Sequence, residues 1–156
     1  MGNVKSVLSL ADFKAAFGDL ALALPDGQVL GSSQSDWPAV VQAIGRTGWS
    51  VAWSHDGGAV ELGQLHDPDR RLDSFAVRPI PTVRVNFFLG DEVLFDVDLR
   101  ELQDQVALDA VCEVFALLGR SLGKPVTLSH EGDFDDVVIR YEPGTDDFTL
   151  IPTSIL

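Results

Sequence analysis

Two alternating runs, Val83 to Leu89 and Val93 to Leu99, flank Gly90-Asp91-Glu92 and constrain the chain more than any other segment. If Leu89 faces Val93, then Phe87 faces Phe95, Val85 faces Val97 and Val83 faces Leu99, so one face of the hairpin is wholly apolar. The same register places Arg84 beside Asp98 and Asn86 beside Asp96 on the other face. A tighter loop would pair Val85 with Asp96 and mix the faces. The alternation therefore predicts an antiparallel ribbon with one face against a core.

What covers that face follows directly. From Leu99 to Leu122 the residues wind into a helix whose polar strip is narrow, holding Asp109, Glu113 and Arg120, so the helix is buried on most sides. Gly119 or Gly123 closes it before Lys124-Pro125. Three short strands are expected beyond it, at Val126–His130, Val137–Glu142 and Phe148–Ile151. Tyr141 then pairs with Phe148 and Ile139 with Leu150, across the turn Pro143-Gly144-Thr145-Asp146.

The N-terminal half is less regular. Ser9 and Asp12 form a capping box for a short helix over 9–17, with Leu10, Phe13, Ala16 and Phe17 as its apolar stripe and Gly18 as its stop. Leu20–Leu24 and Gln28–Leu30 read as a small hairpin about the turn Pro25-Asp26-Gly27, whose glycine accepts positive φ. Asp36 is expected to cap a second helix through Trp37, Val40, Val41 and Ile44, with Pro38 in its first turn and Gly45 or Gly48 at its end. Trp49, Val51 and Trp53 share one face of a half-buried strand, which His55-Asp56-Gly57-Gly58 turns toward Ala59–Leu62. A surface loop spans 65–73, and Phe75–Ile80 forms a strand that Pro79 and Pro81 confine to an edge or a bulge.

With no linker, low-complexity tract or long repeat, the expected architecture is a single α+β domain over 1–156. It has one mixed, mainly antiparallel sheet packed by one long buried helix and one or two shorter ones. A length of 156 residues suits one core, and 46% apolar with 22% charged residues is globular composition. No apolar run reaches the ~18 residues of a membrane span and no secretory signal opens the chain, so a cytoplasmic location is expected. Gly2 and Ser6 fit the N-myristoylation pattern, but no polybasic patch supports an anchor.

Charge narrows the partners. The 24 acidic and 11 basic residues give a net charge of −13, a field that repels nucleic acid and anionic lipid. The excess is uneven, −3 over residues 1–78 and −10 over 79–156. A basic protein is the partner such a surface fits.

Candidate chemistry is thin. Asp96-x-Asp98 can hold a divalent cation, although a solvated strand edge gives the same spacing. His55-Asp56, His66-Asp67-x-Asp69 and His130-Glu131 offer nitrogen and oxygen ligands, but no two histidines stand at the i, i+4 spacing of a helical zinc motif. There is no nucleophile elbow, Walker loop or dinucleotide fingerprint, and Cys112, the one cysteine, reads as a buried inert thiol. Trp37, Trp49 and Trp53 read as core rather than as a ligand platform. No catalytic set, metal site or cofactor is therefore expected.

The strongest functional signal is Glu131-Gly132-Asp133-Phe134-Asp135-Asp136, with Asp146-Asp147 expected close by. Carboxylates at this density repel one another, and a central aromatic ringed by charge has the composition of an interface anchor. A small acidic α+β chain with clustered loop carboxylates resembles the bacterial immunity proteins of polymorphic toxin systems, in overall style rather than by motif. The resemblance implies occlusion of a toxin's basic cleft by Glu131, Asp133, Asp135, Asp136, Asp146 and Asp147, with Phe134 as anchor. Two other readings stand beside it: a secretion chaperone, and a metal-dependent hydrolase using His55, His66 or His130 with Asp96 and Asp98.

Overall fold

The structure is a computed structural model and describes residues 8–17, 24–53 and 74–151. Within them lie eight strands: β1 (Asp26–Val29), β2 (Ser50–Trp53), β3 (Ser74–Ile80), β4 (Val83–Phe88), β5 (Leu94–Val97), β6 (Val126–Ser129), β7 (Val137–Glu142) and β8 (Asp147–Leu150). The α-helices are α1 (Leu10–Phe17), α2 (Trp37–Gly45) and α3 (Gln105–Leu122). The strands form one sheet in the order β2-β3-β4-β5-β1-β6-β7-β8, and every pairing is antiparallel. The chain is thus α+β, as the alternation and the long helix require.

A single cross-strand row organises the apolar face. Trp53, Phe75, Phe87, Phe95, Gly27, Leu128, Ile139 and Leu150 stand opposite one another in turn across all eight strands. Phe75 and Phe87 stack at 5.0 Å, and Phe95 meets Phe115 of α3 edge-on at 5.3 Å. Helix α3 packs over this face against β3, β4, β6 and β7, with α2 beside it. The central hairpin keeps the predicted register, Val85 with Val97, Asn86 with Asp96 and Phe87 with Phe95. So does the last, Ile139 with Leu150 and Tyr141 with Phe148.

Gly27 is where the expectation fails most informatively. It lies inside β1 rather than in a turn, and a β-carbon there would sit 2.1 Å from the ring of Phe95. Glycine marks either positive φ or close approach, and here it marks the second. The neighbours 18–23 lie outside the described residues, as do residues 1–7 with the Gly2 and Ser6 pattern, the hairpin and loop over 54–73 and the C-terminal 152–156.

Helix ends also differ. Asp104 accepts from the Ala107 amide at 2.8 Å and starts α3 there, while Asp98 caps a separate 3-10 turn at Leu99–Glu101 by accepting from Arg100 N at 2.9 Å. Two successive aspartate caps divide what periodicity reads as one helix. Asp36 does not cap α2. Its backbone is already helical, and its carboxylate accepts instead from Ser33 N at 2.9 Å and Lys124 Nζ at 2.8 Å. The Ser9 cap is present, accepting from Asp12 N at 3.0 Å.

Strand β3 is interior despite Pro79, because the register shifts between Val77 and Ile80 and the bulge absorbs the missing donor. Trp49, just before β2, and Trp53 on it are half-buried against the core while Val51 is exposed. Trp37 is the fully buried tryptophan of the three, its indole donating to the Gly90 carbonyl at 2.9 Å. Cys112 is buried, and burial, with the nearby charges of Asp109 and Glu113, pushes its thiol up to about 12. No described helix is long and apolar enough to cross a membrane.

Candidate partner-binding surface

The loop between β6 and β7 is built by its own backbone. His130 N donates to Asp136 O, Asp133 N to His130 O and Asp136 N to Asp133 O, each at 3.1 Å. Gly132 adopts φ 80°, the conformation that lets the chain reverse without β-carbon strain. Side chains complete the frame: Asp133 accepts from Asp135 N at 3.0 Å, and Ser129 Oγ donates to Phe134 O at 3.2 Å. These bonds close the loop on itself, which lowers the ordering cost of presenting its side chains.

What it presents is acidic and aromatic. Glu131, Asp133 and Asp135 are exposed, and Phe134 is 39% exposed among them. Among the described residues none of these three carboxylates has a lysine or arginine within ion-pair distance. Asp136 stands 3.9 Å from His130 Nε2. Glu131 is anchored by the Leu24 amide, and Gly132 N donates to Asp26 at 2.8 Å, so the loop is tied to the start of β1.

Asp146 and Asp147 do not join this group. The loop precedes β7 and the Pro143–Asp146 turn follows it, so the two lie at opposite ends of a six-residue strand, about 20 Å apart at ~3.3 Å per residue. Asp146 is turned inward instead. It binds Arg120 Nη2 at 2.8 Å and accepts from the Tyr141 hydroxyl, with its own backbone at φ 56°. Asp147 stands opposite Glu142 at the head of β8. The reason is topological, since consecutive loops of an antiparallel meander alternate between sheet ends.

Asp26 and Asp96 take their place. They face each other across β1 and β5 at the loop's end of the sheet, a juxtaposition hidden from the sequence by a separation of 70 positions. Burial raises the Asp96 carboxyl above its ordinary range, and the charges of Asp26 and Asp98 add to the effect. The hydrogen bond from Asn86, 2.8 Å, and the charge of Arg84 oppose it. Asp98 is not Arg84's partner as the register suggested, because Arg100, two residues on, brings Nη2 to 2.6 Å. That pairing holds the Asp98 carboxyl below its usual range.

Among the described residues the alternative chemistry is not assembled. Asp96 and Asp98 are engaged by Asn86 and Arg100, and no three His, Cys, Asp or Glu residues among those described group to hold a metal. His130 packs edge-on against Phe17 at 5.3 Å, while His55 and His66 lie outside the described residues. Comparison with protein-family models, with curated proteins and with solved structures finds no match to this chain.

Proposed function

We propose that this chain is a non-catalytic binding protein that docks the 130–136 loop onto a basic protein surface, in the manner of an immunity protein occluding a toxin. The observation that carries the reading is an exposed Phe134 inside a hydrogen-bonded loop whose Glu131, Asp133 and Asp135 lack a basic partner among the described residues. Buried aromatic anchors ringed by complementary charge dominate protein interfaces, and a preformed loop lowers the ordering cost of docking. Asp146 and Asp147 are not part of this surface. Asp26, tied to Gly132, supports it from below.

The partner proposed is the C-terminal domain of the protein encoded beside this chain, and the test is co-expression with it. The expected result is a one-to-one complex and relief of that domain's toxicity, both lost in a Phe134→Ala, Asp135→Lys variant. Neither substitution removes a hydrogen bond that holds the loop. A truncated hot-spot aromatic costs at least ~2 kcal/mol of affinity, about thirtyfold. Undiminished binding by that variant, or a partner that leaves the loop uncovered, overturns the reading.

A further inference from the structure

The face of the sheet opposite α3 carries a second feature, unrelated to the acidic loop. Ser50, Ala52, Ala76, Arg78 and Arg84, from β2, β3 and β4, line an open cavity of about 180 Å³. Ser50 stands opposite Arg78 across β2 and β3, and Arg78 and Arg84 flank the Val77–Val85 pair where the β3–β4 register shifts, so both line the same cavity. Two small residues, Ala52 and Ala76, stand opposite each other and leave the floor low between longer neighbours.

Gathering two arginines in one cavity costs stability, because like charges repel. Among the described residues no direct ion pair engages them, although Asp96 lies within reach of the Arg84 charge and Glu101 accepts from the Arg84 amide at 2.9 Å. Arg100, Arg120, Lys124 and Arg140 each hold a carboxylate, whereas among the described residues neither Arg78 nor Arg84 has one within 4.0 Å, in a chain of net charge −13. Arg78 Nη1 donates to the Pro81 carbonyl at 3.0 Å, which positions the guanidinium and leaves its other donors free to bind. The cavity thus offers two planar forks of donors and one hydroxyl, a set that matches the oxygens of a carboxylate or phosphate. Its volume suits such a head group rather than a whole drug-sized ligand.

We propose that Ser50, Arg78 and Arg84 form a binding site for a small oxyanion, the carboxylate or phosphate group of a ligand whose remainder extends over the sheet. The two sources are separated by titrating the protein with inorganic phosphate and, in parallel, with acetate at constant ionic strength. Amide resonances of Ser50, Ala52 and Ala76 and the arginine Nε–H signals report occupancy. Saturable shifts confined to these residues are expected with at least one of the two anions, and the tighter arm names the group. Arg78→Gln with Arg84→Gln is expected to weaken that binding at least about tenfold, the loss from deleting charge-assisted hydrogen bonds. No saturable shift in either arm, or the same titration in the double variant, overturns the proposal.

Discussion

Gly119 of α3 lies beneath the ring of Tyr141, so close that a β-carbon at 119 would stand 2.5 Å from Tyr141 Cε2. The tyrosine is completely buried, and its hydroxyl reaches past the helix to Asp146, which Arg120 also holds. Helix α3 and the β7–β8 hairpin meet here as well as at Phe115 and Phe148, whose rings stand 6.2 Å apart. A residue whose sequence suggests a helix stop is therefore a packing notch in the last turn of α3, and the stop is Gly123, at φ 64°.

Replacing Gly119 by alanine tests the notch by sign. In an ordinary helix interior the change stabilises by ~0.5–1 kcal/mol. Here the ring or the helix must shift, and overpacking of this kind costs ~1–3 kcal/mol. Urea unfolding of Gly119→Ala should show a lower midpoint with an unchanged slope.

Tyr141 is the one tyrosine in the chain, so tyrosinate absorbance reports it alone. Burial pushes its phenol up to about 12, and the hydrogen bond and charge of Asp146 add to that, against Arg120. The unfolded chain releases this proton near ~10. The stabilising contribution is thus complete below ~10 and is lost as pH rises toward about 12. Asp146→Asn should lower the phenol midpoint without returning it fully to the free value, since burial remains.

Asp96 behaves in the opposite quarter of the pH range. Its carboxyl is raised, so its contribution is present below the ordinary carboxylate pKa of ~3.9 and lost as pH rises through the folded value. At neutral pH the ionised group opposes folding. Asp96→Asn removes the charge facing Asp26 and keeps an oxygen for Asn86. Thermal midpoints at pH 7 should rise by about 2–4 °C if ~1 kcal/mol is recovered, and the gain should shrink at pH 3. An equal shift at both pH values would show that charge is not its cause.

The sheet registers were legible because they depend on alternation alone. Phe87 opposite Phe95 and Tyr141 opposite Phe148 follow from keeping apolar residues together, whatever the rest of the chain does. The narrow polar strip of α3 was equally local, with Glu113 and Arg120 exposed as periodicity requires. The start of α3 is set by Asp104, whose side chain caps Ala107, a local signal that the apolar period running through Leu99 and Leu102 masks.

Residues distant in sequence were decided otherwise. Asp26 meets Asp96 and Gly27 meets Phe95 only because β1 inserts between β5 and β6, and no local pattern records which strands will be neighbours. The acidic loop kept its five residues together because its own hydrogen bonds close it. Asp146 and Asp147 were separated from it by the length and direction of β7, and Arg78 and Arg84 were brought to one cavity by the pairing of β3 with β4. By itself the sequence determined which faces are apolar, since burial needs only composition and period. Strand order, which places charge against charge, emerged from packing the whole chain on one core.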